Sequence, residues 1–282
     1  MEIRDRIPGT RKPIGRTDRS GVLHPENLAR YAATTYPASA AISEVVDHFW
    51  TVAWNLPGGE RIDQRILTDP AVTLTVEAGH VPAELVVTGV HRRAWTREIA
   101  GWGAGFAIRL RPAGLAVVSD LTPEAVADRT LAVGPALDAR LYALLRAVAA
   151  APDTATRIAR ATEIISEMTA ERPLTGRQRL ANETVDAINR GDPLPAGRSA
   201  RTVQRALRET IGHGPAWVRR WVRLQEAARQ FAVDGASGAA DIATRLGYTD
   251  QAHLVNEFRA AVGRTPGEYV RALHRTARST TP

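Results

Sequence analysis

Between residues 241 and 269, the order of apolar and polar residues admits little besides a helix, a tight turn and a second helix folded against the first. Ile242, Ala243 and Leu246 form one apolar stripe, and Leu254, Phe258 and Val262 repeat at i, i+4, i+8. Gly247, between them, can take the positive φ that a helix C-terminus favours. Thr249 is expected to cap the second helix. Asp250, Gln251, His253, Asn256 and Glu257 are left largely outside. A short polar helix, held by a preceding helix and a Gly-containing turn, is how a helix-turn-helix offers side chains to a DNA major groove. DNA binding is the function class this segment predicts.

A second helix of the same kind is expected upstream, opened by Ser199 as N-cap. Val203, Leu207 and Ile211 make its inner face. Arg201, Gln204, Arg205 and Arg208 fall at i, i+3, i+4, i+7 and share the outer one. Guanidinium and amide groups on one face suit phosphates and the edges of guanine and adenine; a solvated Arg-rich surface is the competing reading. Between the two units, Pro215 opens a helix expected to run to Phe231. Its Trp217 and Trp221 are expected in a core rather than as a ligand platform, so the helix becomes a rigid spacer.

Charge follows the same division. Residues 1–172 hold 20 Lys+Arg against 20 Asp+Glu, whereas residues 173–282 hold 17 Arg against 10 Asp+Glu. The whole net charge of +7 therefore lies in the last 110 residues, the footprint of a polyanion-binding module. Lys12 is the only lysine. A GC-rich genome also enriches Arg and Ala, so the clustering of the arginines carries more than their number.

The first part of the chain reads differently. Residues 1–20 are polar and basic, with Arg4, Arg6, Arg11, Lys12, Arg16 and Arg19, and are expected to be a disordered tail. Residues 49–54, 71–76, 84–88 and 106–110 carry β-branched and aromatic residues between Gly and Pro punctuation, as in an antiparallel barrel or sandwich. Two helical stripes follow: Leu137, Leu141, Leu144, Leu145, Val148, and Ile158, Ala161, Ile164, Ile165, Met168. They suit packing on the β domain or a dimer seam, the former being commoner. Residues 171–176 are expected to be a linker. Trp50, Trp54, Trp95, Trp102 and Phe106 could line an apolar effector pocket, although strand aromatics more often fill a core.

Several classes are excluded. Cys is absent, which removes disulfides, thiol catalysis and Cys-ligated zinc. His24, His48, His80 and His91 lack the paired spacing of a cupin-like metal site. No Gly-x-Ser-x-Gly elbow, phosphate-binding loop or His-Glu-x-x-His helix occurs. No apolar run approaches the roughly 20 residues of a membrane span. The expectation is a soluble cytoplasmic protein, not an enzyme, with no cofactor or metal.

The ordered series Ser199-x-Arg201-x-x-Gln204-Arg205, Gly212-x-x-Pro215, Arg223-Leu224-x-x-Ala227, Ile242-Ala243, Leu246-Gly247-Tyr248-x-Asp250-Gln251-x-His253-Leu254, Phe258-Arg259, Gly263-x-Thr265-Pro266 and Tyr269 resembles the AraC-type (AraC/XylS) transcriptional regulators over residues 177–274. The resemblance implies a bacterial regulator with two helix-turn-helix units joined by a linker helix, reading successive major-groove segments of double-stranded DNA. It assigns base reading to Arg201, Gln204 and Arg205 in the first unit and to Gln251, His253 and Asn256 in the second. Arg208 and Asp250 share those outer faces. More faintly, the N-terminal part resembles the β-rich sensory domains of such regulators. That implies a small-molecule effector or dimerisation, a homodimer, and contact with RNA polymerase if the protein activates.

One departure stands out. The family normally has a supporting helix just before its first recognition helix, and residues 189–198 hold Gly191, Pro193, Pro195 and Gly197 in its place. Proline lacks the donor that a helix interior needs. The first unit is therefore expected to be truncated, its recognition helix loosely held or supported by other residues, and the second unit to contribute more specificity. Leu207 stands where an aromatic is usual and Gly214 where Ser is usual.

The expected fold is α+β: a β-barrel or sandwich-like domain with accessory helices, then an all-α double helix-turn-helix domain. The expected division is a tail at 1–20, a sensory or oligomerisation domain at 21–172 and a DNA-binding domain at 173–282. The alternative function is a ligand- or protein-binding regulatory module with weakened operator recognition.

Overall fold

The computed structural model describes Leu23, Asn27, residues 30–235 and residues 238–278, with the side chains of Asp234 and residues 274–278 left out. The basic tail expected at residues 1–20 lies outside the described residues.

The fold is α+β. Eight strands form the first half: β1 (Tyr31–Pro37), β2 (Val46–Asn55), β3 (Arg61–Ile66), β4 (Thr73–Gly79), β5 (Leu85–Thr88), β6 (Trp95–Ala100), β7 (Trp102–Leu110) and β8 (Thr130–Ala132). Six make one antiparallel sheet in the order β1-β2-β7-β4-β5-β8, while β3 and β6 pair as a separate ribbon. Alternation decides what each face meets. Leu74, Val76, Leu85, Val87, Phe106, Ile108 and Leu110 share one buried face, with Phe49 stacked on Phe106 at 5.8 Å. Helices α3 (Ala139–Ala149) and α4 (Thr154–Glu171) cover it with Leu141, Leu144, Leu145, Val148, Ala161, Ile165 and Met168. Both expected helical stripes therefore serve core packing. Leu137 is the exception: it precedes the N-cap Asp138 and is 38% exposed.

The ribbon lies against the sheet's other face. Arg97 on β6 grips Glu77 on β4 through two parallel hydrogen bonds of 2.6 and 2.7 Å, and Ile99 packs with Trp54 and Leu56. The Trp54 ring occupies the space above Gly103, where a Cβ would meet it at 2.2 Å, so this position of β7 admits only glycine. The result is sandwich-like rather than a closed barrel, since β1 and β8 end the sheet order without pairing to each other.

Two short helices, α1 (Leu115–Val118) and α2 (Pro123–Val126), lead from β7 to β8. Behind them Asp138 is buried, accepting from Leu141 N at 2.8 Å, Ser119 Oγ at 2.5 Å and Asp120 N at 2.7 Å. Burial works to raise its pKa, and the hydrogen bonds outweigh it, holding the carboxyl below its usual value. A depressed folded pKa contributes stability that is present above the unfolded value of about 3.9 and is lost as pH falls through the folded one. Asp138→Asn, which sets an amide donor among those donors, is expected to cost about 1–3 kcal/mol at pH 7 and progressively less in acid. Urea midpoints at pH 7 and in acid check this; equal midpoints for both proteins at pH 7 contradict it.

The second half is helical: α5 (Gly176–Arg190), α6 (Ala200–Ile211), α7 (Pro215–Asp234), α8 (Ala239–Arg245), α9 (Gln251–Val262) and α10 (Pro266–Arg278). The expected linker is short and anchored. Leu174 is buried with the β-domain core, and Thr175 opens α5 in a capping box with Gln178. Among the described residues, no helix is long and apolar enough to cross a membrane.

The two halves are joined by hydrogen bonds to backbone groups, by the ion pairs Arg111–Asp186 and Arg179–Glu44, and by apolar contacts. Asn182 on α5 donates to Glu44 O at 2.8 Å and accepts from Ala113 N at 3.1 Å. Gln225 on α7 donates to Leu67 O at 2.8 Å and Asp69 Oδ1 at 2.9 Å, and the Trp221 indole donates to Thr68 O. Leu23 and Leu67 are buried among the apolar residues of α7 to α10.

Candidate nucleic-acid interface

Two surfaces of the helical half were predicted to read DNA, and both are built by helices whose inner faces are sealed. On α6, Val203, Ala206, Leu207 and Ile211 are buried against Leu180, Ala181, Val185 and Ile188 of α5. Ser199 caps α6 through Thr202 N at 3.1 Å, as its sequence requires. Arg201, Gln204, Arg205 and Arg208 are all exposed. Arg201 and Arg208 meet no carboxylate within 4.0 Å among the described residues. Arg205 Nε lies 2.7 Å from Glu209 Oε1, and Arg177 of α5 shares that carboxylate at 2.9 Å. The hydrogen bond from Arg205, then that from Arg177, holds the Glu209 carboxyl below its usual range. A solvent-exposed pair of this kind is weak, so a phosphate can take Arg205 from it.

No helix forms between Gly191 and Ser199, as the Gly and Pro content dictates. The loosely held recognition helix is not what results, because α5 itself supports α6. Leu207, in the usual aromatic position, is 0% exposed and fills that contact.

In the second unit, Gly247 takes φ +70, and Tyr248 N returns to Ala243 O at 2.9 Å, closing α8 as expected. Leu254, Phe258 and Val262 are buried, with Phe231 edge-on to Phe258 at 5.4 Å. The cap is Asp250, not Thr249: its Oδ1 accepts from His253 N at 2.7 Å. Asp250 therefore spends its carboxylate on the helix end. His253 is half-buried, edge-on to Tyr248 at 5.3 Å, with Nε2 3.4 Å from Glu257 Oε1. Glu257 also faces Arg220 at 4.0 Å, and Arg223 lies over the Tyr248 ring at 4.8 Å. Burial, and next the Glu257 charge, push the Tyr248 phenol well above its usual pKa. Of the predicted readers of α9, Gln251 at the first turn and Asn256 on the face opposite the buried residues are exposed. Past α9, Thr265 and Glu268 form a capping box for α10, Glu268 accepting from Thr265 N at 2.8 Å.

Sequence reasoning missed the neighbours of Asn256. An open groove brings Asn256, Arg259 and Ala260 of α9 beside Arg93, Ala94 and Thr96 of the β-rich domain. Arg259 was readable from its spacing to Asn256; Arg93 carries no signal until the halves are placed together.

Residues 195–272 match a family model described as a helix-turn-helix domain, and residues 34–132 match one described as a domain of unknown function, DUF6597. The helix-turn-helix match lies within residues 177–274, the stretch whose sequence resembles the AraC-type regulators. A search of curated proteins finds no match. Solved structures similar to the chain include ToxT from Vibrio cholerae, at 9% identity over 86% of this chain and 98% of that one, with a TM-score of 0.33. Another is ToxT of strain SCE256 with an unsaturated fatty acid bound, at 10% identity over 86% and 95%, with a TM-score of 0.32. At such scores the likeness gives no ground for placing a ligand in this chain.

The AraC-type pattern orders the helices. α6 and α9 stand where that pattern places recognition helices, α7 stands where it places the linker helix, and α8 packs with α9 in one core. The support that the family places just before the first recognition helix is supplied by α5, across a non-helical connection.

Proposed function

We propose that this protein is a sequence-specific DNA-binding transcriptional regulator, with a β-rich domain up to about residue 172 that controls an AraC-type domain from about residue 173. The observation that carries the reading is the outer face of α6. Arg201, Gln204, Arg205 and Arg208 stand exposed on a helix whose opposite face is fully buried in an AraC-type scaffold. Asn256 and Arg259 on one face of α9, with Gln251 exposed at its first turn, form the second reading surface. Phosphate contacts supply most of the affinity and base contacts the selectivity. Binding of a promoter fragment is expected to fall steeply with salt, with a slope of about −0.9 for each phosphate contacted. Affinity insensitive to both salt and sequence overturns the reading.

The regulator acts without a cofactor and without enzymatic chemistry, in a bacterial cytoplasm, as a homodimer, and touches RNA polymerase where it activates. Control enters through the β-rich domain, by a small effector or by oligomerisation. The aromatic residues first considered for an effector pocket do not converge. Trp102 is 45% exposed, Trp95 donates to Thr130 Oγ1 at 2.9 Å, and Trp54 and Phe106 belong to separate cores. The missing helix before α6 favours a second reading, a regulatory module that pairs with other proteins and has weakened operator recognition. Failure of the purified protein to retard its own promoter DNA, at low salt, decides for that module.

A further inference from the structure

We propose that Arg93, in the connection between β5 and β6, is a phosphate contact that the β-rich domain adds to the DNA-reading face of α9. The inference rests on the DNA-binding reading above and extends it to the other half of the chain.

Three observations place Arg93 there. The connection is fixed to the recognition helix by its backbone: Ala94 N donates to Ala261 O at 2.8 Å, and Ala94 packs against the buried residues of the helical half. It is braced from the other side, where Asp128 accepts from Arg92 N at 2.7 Å and from Arg92 Nε at 2.5 Å. Arg93 then lines the same open groove as Asn256, Arg259 and Ala260.

Charge distinguishes Arg93 from its neighbours. Arg92 is held by Asp128 and Arg97 by Glu77. Arg93 and Arg259 are both exposed, and neither meets a carboxylate within 4.0 Å among the described residues. Two exposed guanidinium groups with no carboxylate in direct contact among the described residues thus flank one side of a helix face that also carries Ala252, Asn256 and Ala260. Ala252 and Ala260 are exposed small side chains that let a large surface come close. A helix lying in a major groove about 12 Å wide has a sugar-phosphate strand along each flank. An arginine beside such a helix meets phosphate oxygens, which its planar fork takes two at a time. Such a contact fixes register and carries no sequence information.

The test uses the full chain, a preferred promoter fragment and mixed-sequence DNA, titrated between 50 and 200 mM salt. For Arg93→Ala the slope of log affinity against log salt is expected to shrink by about 0.9, so that the loss of affinity across that range is smaller by about 3.5-fold. Both DNAs should weaken by the same factor, leaving their ratio unchanged, and Arg93→Lys should restore most of the slope. If Arg93→Ala matches the parent in affinity and slope while Arg205→Ala weakens binding, the inference fails and the DNA reading stands. Tighter binding by Arg93→Ala also overturns it, by making the connection an obstacle to DNA. If the parent protein binds neither DNA at 50 mM salt, both readings fall.

Discussion

Trp221→Ala is expected to destabilise the protein by about 3–5 kcal/mol, the range for truncating a fully buried tryptophan. Trp221 is 0% exposed in the middle of the linker helix, stacked on Trp217 with centroids 5.1 Å apart. Its indole also donates to Thr68 O, in the connection between β3 and β4. Truncation therefore opens a cavity in the helical core and removes a hydrogen bond between the halves at the same point. Trp221→Phe keeps most of the apolar volume and leaves the Thr68 carbonyl unpaired, so its cost should be about 1–3 kcal/mol. Urea unfolding followed by circular dichroism gives both values. A loss below about 1 kcal/mol for Trp221→Ala would mean that α7 is not seated on the β-rich domain as described.

On the DNA side, Arg201→Ala combined with Arg205→Ala should produce the largest loss. Each bidentate base contact is worth about 1–3 kcal/mol, or about 5- to 150-fold in affinity for the preferred site. Gln251→Ala should cost no more than one such contact. This order reverses the one drawn from the sequence, where a truncated first unit implied that α9 would dominate. The reason is physical. α6 is sealed by α5 and offers four exposed polar side chains, whereas on α9 Asp250 is spent on the cap and His253 is turned toward Tyr248 and Glu257. Competition binding against mixed-sequence DNA measures the order, and a larger loss for Gln251→Ala than for the α6 double substitution would restore the original one.

What could be read from the chain, and what could not, follows from where the information sits. The spacing of Leu254, Phe258 and Val262, with Gly247 before them, was sufficient for α8, the turn and α9, because apolar periodicity and a positive φ are side-chain properties. Strands β2, β4, β5 and β7 were visible for the same reason. The ribbon was not: β3 reads Arg-Ile-Asp-Gln-Arg-Ile and β6 Trp-Thr-Arg-Glu-Ile-Ala, and their inward positions include Gln64 and Arg97. An Arg97–Glu77 pair inside the sandwich hides the alternation that marks a strand. Thr249 and Asp250 are both good caps, and local sequence does not choose between neighbours. The docking of the two halves was largely illegible because several of its acceptors are main-chain carbonyls, those of Glu44, Leu67, Thr68 and Ala261, beside the side-chain pairs of Gln225 with Asp69, Arg111 with Asp186 and Arg179 with Glu44. A carbonyl leaves no mark in a sequence, so the groove joining Arg93 to Arg259 emerges only in three dimensions.

The central claim is that α6 and α9 both read DNA from one scaffold. The most direct test is selection of genomic fragments by the full-length protein, followed by footprinting of the enriched site. Protection over about two helical turns per protomer is expected, since two recognition helices on one face enter successive major-groove segments. Protection over about one turn, or no enriched sequence at all, would contradict it.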